Sequence, residues 1–170
     1  MYRDGHAGFN ALLYAPFVPL VSASYSLEAA LWGAVLALAA ATLPDFDQGI
    51  PWIDHRGPTH TVWFALLFGL IAGAGTVLVA RSSFGSGGGF TFGFGFVIGT
   101  CGILAHLVGD VVTPMGISPF APVSRAHMTL NWFKSKNEGL NRAFLLVGSA
   151  ALLGALLLAI YRPVLVTPAG

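Results

Sequence analysis

Charge is what this sequence has least of. Only 9% of its 170 residues are Asp, Glu, Lys or Arg, against about 25% in soluble domains. Eight basic residues against seven acidic ones leave a formal net charge of +1, with no basic patch large enough to follow a phosphate backbone, so nucleic acid is not an expected partner. There is a single cysteine, Cys101, which excludes an internal disulfide and a cysteine-rich metal site. No H-E-x-x-H is present, which argues against a zinc protease. The glycine-rich stretch at 82–95, SSFGSGGGFTFGFG, lacks the Gly-Lys-Ser/Thr of a phosphate-binding loop. It reads as a flexible connection between helices.

What the chain has instead is apolar length. Hydrophobic residues make up 55% of it and the mean hydropathy is +0.76. A soluble globule of this size cannot hide so much apolar surface. The expectation is an all-α, polytopic membrane helical bundle with about five hydrophobic segments and four to five spans, forming one integral membrane domain over 1–170. The runs fall at 8–23, 27–43, 59–80, 91–113 and 140–160. Pro16 and Pro19 make the first helix short, kinked or partly re-entrant. A secretory signal is the other reading of that run, but prolines are unusual there and cleavage would remove His6. The run at 27–43 is just long enough to cross. Gly69, Gly73, Gly95 and Gly99 offer close helix contacts. Oligomeric state is not legible.

Five spans put the N-terminus, the 44–58 loop and the 114–139 loop on one side. Arg3, Arg56, Arg125, Lys134, Lys136 and Arg142 collect there, against Arg81 and Arg162 on the other. The positive-inside rule makes the first side cytoplasmic.

The same side collects the ionisable groups that can do chemistry. His6 precedes the first span and Asp45 and Asp47 close the second, in LPDFDQ. His55, Arg56 and His60 lie in HRGPTH at the entry to the third. His106 and Asp110 sit in the last two turns of the fourth, in HLVGD. Ionisable residues in a membrane are costly and usually functional. His106 and Asp110 are i and i+4, so they share one helix face. Asp45 and Asp47, if extended after Pro44, point the same way. His60 follows Pro58, a favoured helix-start residue, and is expected in the first turn of its helix. A His/Asp set suits zinc or another first-row ion such as manganese better than calcium or magnesium. The number of candidate donors allows one or two ions. His127, in a polar loop without local support, reads as a surface residue.

In order and combination, LPDFDQ, HRGPTHT and HLVGDVVTPMGISPF resemble the membrane-bound metal-dependent hydrolases of the LexA-regulated inner-membrane type. The resemblance covers roughly 6–120 and is weaker over the C-terminal helix at 140–160. More distantly, the chain is similar to the zinc-dependent phospholipase C and single-strand nuclease superfamily, which carries further H-x-x-x-D pairs where this chain has one. The resemblance implies Asp45, His60, His106 and Asp110 as metal ligands, with His6 next. It implies an integral protein of the cytoplasmic (inner) membrane that hydrolyses a phosphoester. The membrane-face site suits a lipid or lipid-linked substrate. Asp47 or His55 would serve as general base or orienting group, and Arg56 would clamp a phosphate oxygen, with Arg125 a weaker candidate. Trp52, Trp63 and Trp132 suit the membrane interface. The competing readings are a proton or metal-ion transporter, which needs polar groups near the midplane, and a scaffold with a structural metal.

Overall fold

The computed structural model describes residues 1–83 and 91–166. Half of the expected glycine-rich connection, 84–90, lies outside them. The helices are α1 (Arg3–Tyr14), α2 (Val18–Ser24), α3 (Leu27–Thr42), α4 (Val62–Ser83), α5 (Phe92–Val111) and α6 (Glu138–Val166). Among the described residues the only β pairing is an isolated bridge between Ile117 and Met128.

Four helical segments are long and apolar enough to cross a membrane: Arg3–Ser24, Val62–Ser82, Phe92–Val111 and Glu138–Tyr161. The first corrects the expectation of a short or re-entrant entry. Pro16 and Pro19 sit in the opening turns of a 3-10 segment (Ala15–Phe17) and of α2, where a missing N–H costs least. The chain therefore tightens for one turn and continues. The short element is α3, whose 16 residues rise only about 24 Å against a hydrocarbon core of about 30 Å. Ser26 caps it, its Oγ accepting from the Ala29 N–H at 3.1 Å, with Glu28 in the first turn.

Lipid supplies no hydrophobic drive between helices, so close backbone approach and hydrogen bonds must hold them. The pairing of α4 with α5 and that of α1 with α6 are the most extensive. At the first, a methyl on Gly95 would strike Thr76 and the Ala72 carbonyl, and one on Gly69 would strike Thr100. The second was not legible in the sequence: Gly8 lies against the Phe144 backbone and Gly148 against the Gly8 carbonyl. Polar straps add to this. Asn10 Nδ2 donates to the Ala37 carbonyl at 3.0 Å and to the Gly102 carbonyl at 2.9 Å, joining α1 to α3 and α5. Trp32 Nε1 donates to Thr76 Oγ1 at 2.9 Å, joining α3 to α4.

The 43–61 and 112–137 connections fold over one end of the bundle. Pro44–Gly49 and Pro58–His60 form 3-10 turns. Between His60 and α4, Thr61 is extended and its Oγ1 accepts from the Phe64 N–H at 3.2 Å. His60 is thus one step outside α4, not in its first turn, because Thr61 takes the capping role. The Val62 N–H donates to the Pro119 carbonyl at 2.9 Å and the Leu130 N–H to the Val111 carbonyl at 2.7 Å. These bonds tie the second connection to the start of α4 and to the end of α5.

Candidate metal centre

Four side chains from three parts of the chain meet at that end. Asp45 comes from the first 3-10 turn, His60 from the second, and His106 and Asp110 from α5. One donor atom from each lies within 4.8 Å of all the others. His60 Nε2 is 3.3 Å from Asp110 Oδ2, 3.6 Å from Asp45 Oδ1 and 3.3 Å from His106 Nε2. His106 Nε2 is 3.4 Å from Asp110 Oδ2 and 3.8 Å from Asp45 Oδ1. A tetrahedron with metal–ligand distances of about 2.0–2.2 Å has edges of about 3.3–3.6 Å. The donor spacing therefore fits a first-row divalent ion with little rearrangement. Asp110 Oδ2 is buried and, despite its two imidazole neighbours, makes no hydrogen bond. It faces the same point as the imidazole nitrogens without satisfying either.

Both histidines are oriented from behind. His106 Nδ1 lies 2.8 Å from the Ala41 carbonyl. A carbonyl only accepts, so the proton of neutral His106 is on Nδ1 and Nε2 carries the lone pair. His60 Nδ1 lies 3.2 Å from Asp47 Oδ2, which places its Nε2 lone pair inward in the same way. A carboxylate or carbonyl behind each imidazole is the usual support of a metal ligand.

The roles of Asp45 and Asp47 therefore diverge. An extended strand would aim them together, but Pro44 opens a 3-10 turn with about three residues per turn. Positions i and i+2 then point to different sides. Asp45 reaches the Nε2 side of His60 and Asp47 the Nδ1 side. Asp47 also accepts from Thr59 Oγ1 at 2.8 Å and from the Arg56 N–H at 3.0 Å, and meets His55 Nδ1 at 2.9 Å. Burial would raise both carboxyl groups. For Asp45 the neighbouring His60 and His106 imidazoles prevail, and for Asp47 the bonds to His55 and Thr59, so both stay below the usual carboxylate range. Burial alone would lower His60, but the carboxylates of Asp110 and Asp45 beside its Nε2 hold it above the usual imidazole value.

His6 completes the buried layer. Its ring stacks on His106 with centroids 3.7 Å apart and an interplanar angle of 12°. Its Nε2 is 3.3 Å from Asp110 Oδ1, and neither ring nitrogen has a hydrogen bond. Gly109 makes the room, since a Cβ there would lie 2.9 Å from His6 Nδ1.

Arg56 is turned inward. NH2 donates to Asp110 Oδ1 at 2.7 Å, while NH1 donates to the Gly116 carbonyl at 3.0 Å and to Thr113 Oγ1 at 3.3 Å. Its backbone has φ 63°, an uncommon value off glycine, held by the N–H bond to Asp47. The guanidinium thus neutralises Asp110 from behind rather than standing free at the mouth. The partners Thr113, Gly116, Thr59, Ala41 and Gly109 were not singled out in the sequence. The only signal was the TPMG segment at 113–116, whose residues prove to receive Arg56.

The His55 side chain is 36% exposed. His127 and Arg125 are exposed in the loop, and Trp52 and Trp132 are largely exposed. Asp45, at 16%, is the least buried of the four donors. It forms part of the wall of a cavity of about 240 Å³ that also includes Tyr2, Arg3, Thr42 and Gln48. The centre is closed by protein on the Asp110 side and approached on the Asp45 side.

A family model described as YdjM inner membrane protein matches residues 1–167. No curated protein and no solved structure matches the chain.

Proposed function

The chain belongs to the YdjM inner membrane protein family, and from that premise we propose that it is a membrane-embedded metal-dependent hydrolase acting on the phosphoester of a lipid or lipid-linked substrate. The observation that carries the reading is the four-donor set with tetrahedral spacing, closed on one side and open to a cavity on the other. A closed structural site would have no such approach.

Asp45, His60, His106 and Asp110 hold one divalent ion, zinc or manganese, with His6 as an adjacent imidazole. Such an ion supplies an acidified water and polarises a phosphoryl oxygen. Asp47 and the Ala41 carbonyl keep the two imidazole lone pairs turned inward. Arg56 offsets the charge of Asp110, so the donor set is not left as an uncompensated buried pair of carboxylates. His55, bonded to Asp47 and half open to solvent, is the group placed to take up a proton. Arg3, in the wall of the approach cavity, is the exposed cation available to an incoming phosphate. The charge count of the connections puts this end at the cytoplasmic face.

A transporter would need ionisable groups along the spans. Among the described residues, the helices between this end and the Glu28 and Arg81 end carry Asn10, Tyr14, Trp32 and Thr76, but no carboxylate or second imidazole layer.

The test is metal analysis of the purified protein followed by a panel of phosphomonoesters, phosphodiesters and phospholipids. About one ion per chain and metal-dependent phosphoester cleavage are expected, both lost in His106→Ala. Full turnover in chelator, or full metal content in His106→Ala, would overturn the reading.

A further inference from the structure

One helical turn deeper than the metal donors lies a second, apolar cavity of about 340 Å³. Its wall includes Asn10, Leu13 and Phe17 of the first span, Ala37 of α3, and Cys101 and Ala105 of α5. The register with the metal centre is set by three i, i+4 relations. Asn10 follows His6 by four residues, Gly102 precedes His106 by four, and Ala37 precedes Ala41 by four. The Asn10, Gly102 and Ala37 level of the cavity is thus about 6 Å beneath the imidazoles. Leu13 and Phe17 are 45% and 54% exposed on a membrane-spanning segment, and Cys101 is exposed on another. The cavity therefore opens sideways, into the hydrocarbon layer.

Its lining is not uniformly apolar. Asn10 is 2% exposed. Both of its amide protons are used, on the Ala37 and Gly102 carbonyls, and its Oδ1 has no partner. A buried acceptor left unpaired costs about 1–3 kcal/mol, and in hydrocarbon there is no water to relieve it. Asn10 is a lining residue of the cavity, and a simple helix strap does not account for its unpaired oxygen. A ligand that brings its own donor does.

We propose that this cavity holds the hydrocarbon chain of the lipid substrate, and that Asn10 Oδ1 accepts a hydrogen bond from a hydroxyl or amide N–H at the lipid's neck, between chain and phosphate. This rests on the hydrolase reading for the phosphate end only. The spacing of one helical turn matches the reach from a phosphoryl group at the metal donors to a polar group at the neck. The preferred substrate class is then a phospholipid with a free neck hydroxyl or an amide, over one fully esterified there.

Cys101 is the only cysteine in the chain, so it reports occupancy without mutation. Metal-stripped protein in phosphatidylcholine nanodiscs would be alkylated with monobromobimane and followed by mass spectrometry. The additive would be 1-acyl-glycerol-3-phosphate or its 2-O-methyl ether, which differ only in the donor. The hydroxyl form is expected to cut the alkylation rate by half or more, and the ether much less. Asn10→Leu should erase the difference between them. Should that variant not fold, Ala105→Leu, which fills the cavity, should make alkylation slow and indifferent to either lipid. Equal rates with the two lipids in the unmodified protein, or a preserved difference in folded Asn10→Leu or in Ala105→Leu, would overturn the proposal. The readout needs neither metal nor turnover. Protection without any phosphoesterase activity would leave the cavity standing and sink the hydrolase, and turnover without protection would do the reverse.

Discussion

Asp47 is the sharpest place to perturb the centre, because it touches no metal donor position yet holds one. Its Oδ2 accepts from Thr59 Oγ1 and the Arg56 N–H and lies 3.2 Å from His60 Nδ1, which is hydrogen-bonded to Thr59 Oγ1 at 3.0 Å, and its Oδ1 meets His55 Nδ1. In Asp47→Asn the amide oxygen can keep the bonds from Thr59 Oγ1 and the Arg56 N–H. The amide nitrogen then faces His55, which accommodates it by presenting an unprotonated Nδ1. Geometry is conserved and only the charge behind His60 is lost. In Asp47→Ala Thr59 Oγ1, the Arg56 N–H and His55 Nδ1 all lose their partner, and with Thr59 unanchored His60 is held less firmly. Loss of an orienting partner costs about 10–100-fold in metal affinity, or about 1.4 kcal/mol per tenfold. Asp47→Asn should fall near the lower bound and Asp47→Ala near the upper, with Asp45→Asn, which removes a donor, worse than either. The assay is competition for zinc with a fluorescent chelator, with metal-free melting temperatures as a control for folding. Unchanged affinity in Asp47→Asn would refute the orienting role, as would a loss equal to that of Asp45→Asn.

Arg56 is one of two cations 2.7 Å from Asp110 Oδ1, the Met1 ammonium being the other, so removing it should leave the carboxylate only partly compensated. Arg56→Met should destabilise the metal-free protein by about 3–5 kcal/mol, the cost of breaking one side of a buried pair, and added zinc should restore much of the melting temperature. Gly109→Ala should cost about 1–3 kcal/mol by overpacking against the His6 ring, read as a lower melting temperature, while the same change at Gly75, which has open space around it, should be silent. The pH dependence has two arms. His60 has a raised folded-state pKa, so its contribution to metal-free stability is full below the ordinary imidazole value near 6.5 and fades as pH rises through the folded value. The same proton competes with metal, so zinc affinity should climb across that window, by up to about tenfold per pH unit for each proton displaced. Asp45 and Asp47 are depressed, so their contribution is present above about pH 4 and is lost as pH falls further. Stability of the metal-free protein and chelator competition against pH would measure both arms.

The donor residues were legible before the fold because membranes punish stray charge. His106 and Asp110 announce themselves by helical spacing, and antiparallel spans bring Asp45 and His60 to the same end without any knowledge of packing. The division of labour between Asp45 and Asp47 was not legible. It depends on whether the chain after Pro44 is extended or turned, and proline permits both. Arg56 misleads for a related reason. A lone arginine in a polar motif suggests an outside anion, and only the folded position of Thr113 and Gly116 shows that it serves an inside one. The α1–α6 crossing was hidden because single glycines, unlike a repeated small-residue motif, carry no periodic signal. The extent of α3 was legible, since the apolar run at 27–43 and the helix Leu27–Thr42 differ by one residue.

The bond from His106 to the Ala41 carbonyl ties one ligand to the main chain of another helix, and no side chain at position 41 can alter it. What it does read is alignment. If α3 slid along α5 by one residue, a different carbonyl would come level with His106 and the imidazole would lose its fixed tautomer. On the proposed reading, a metal would be held well only where α3 and α5 are in step, so the affinity of the site for an ion would report the alignment of two helices.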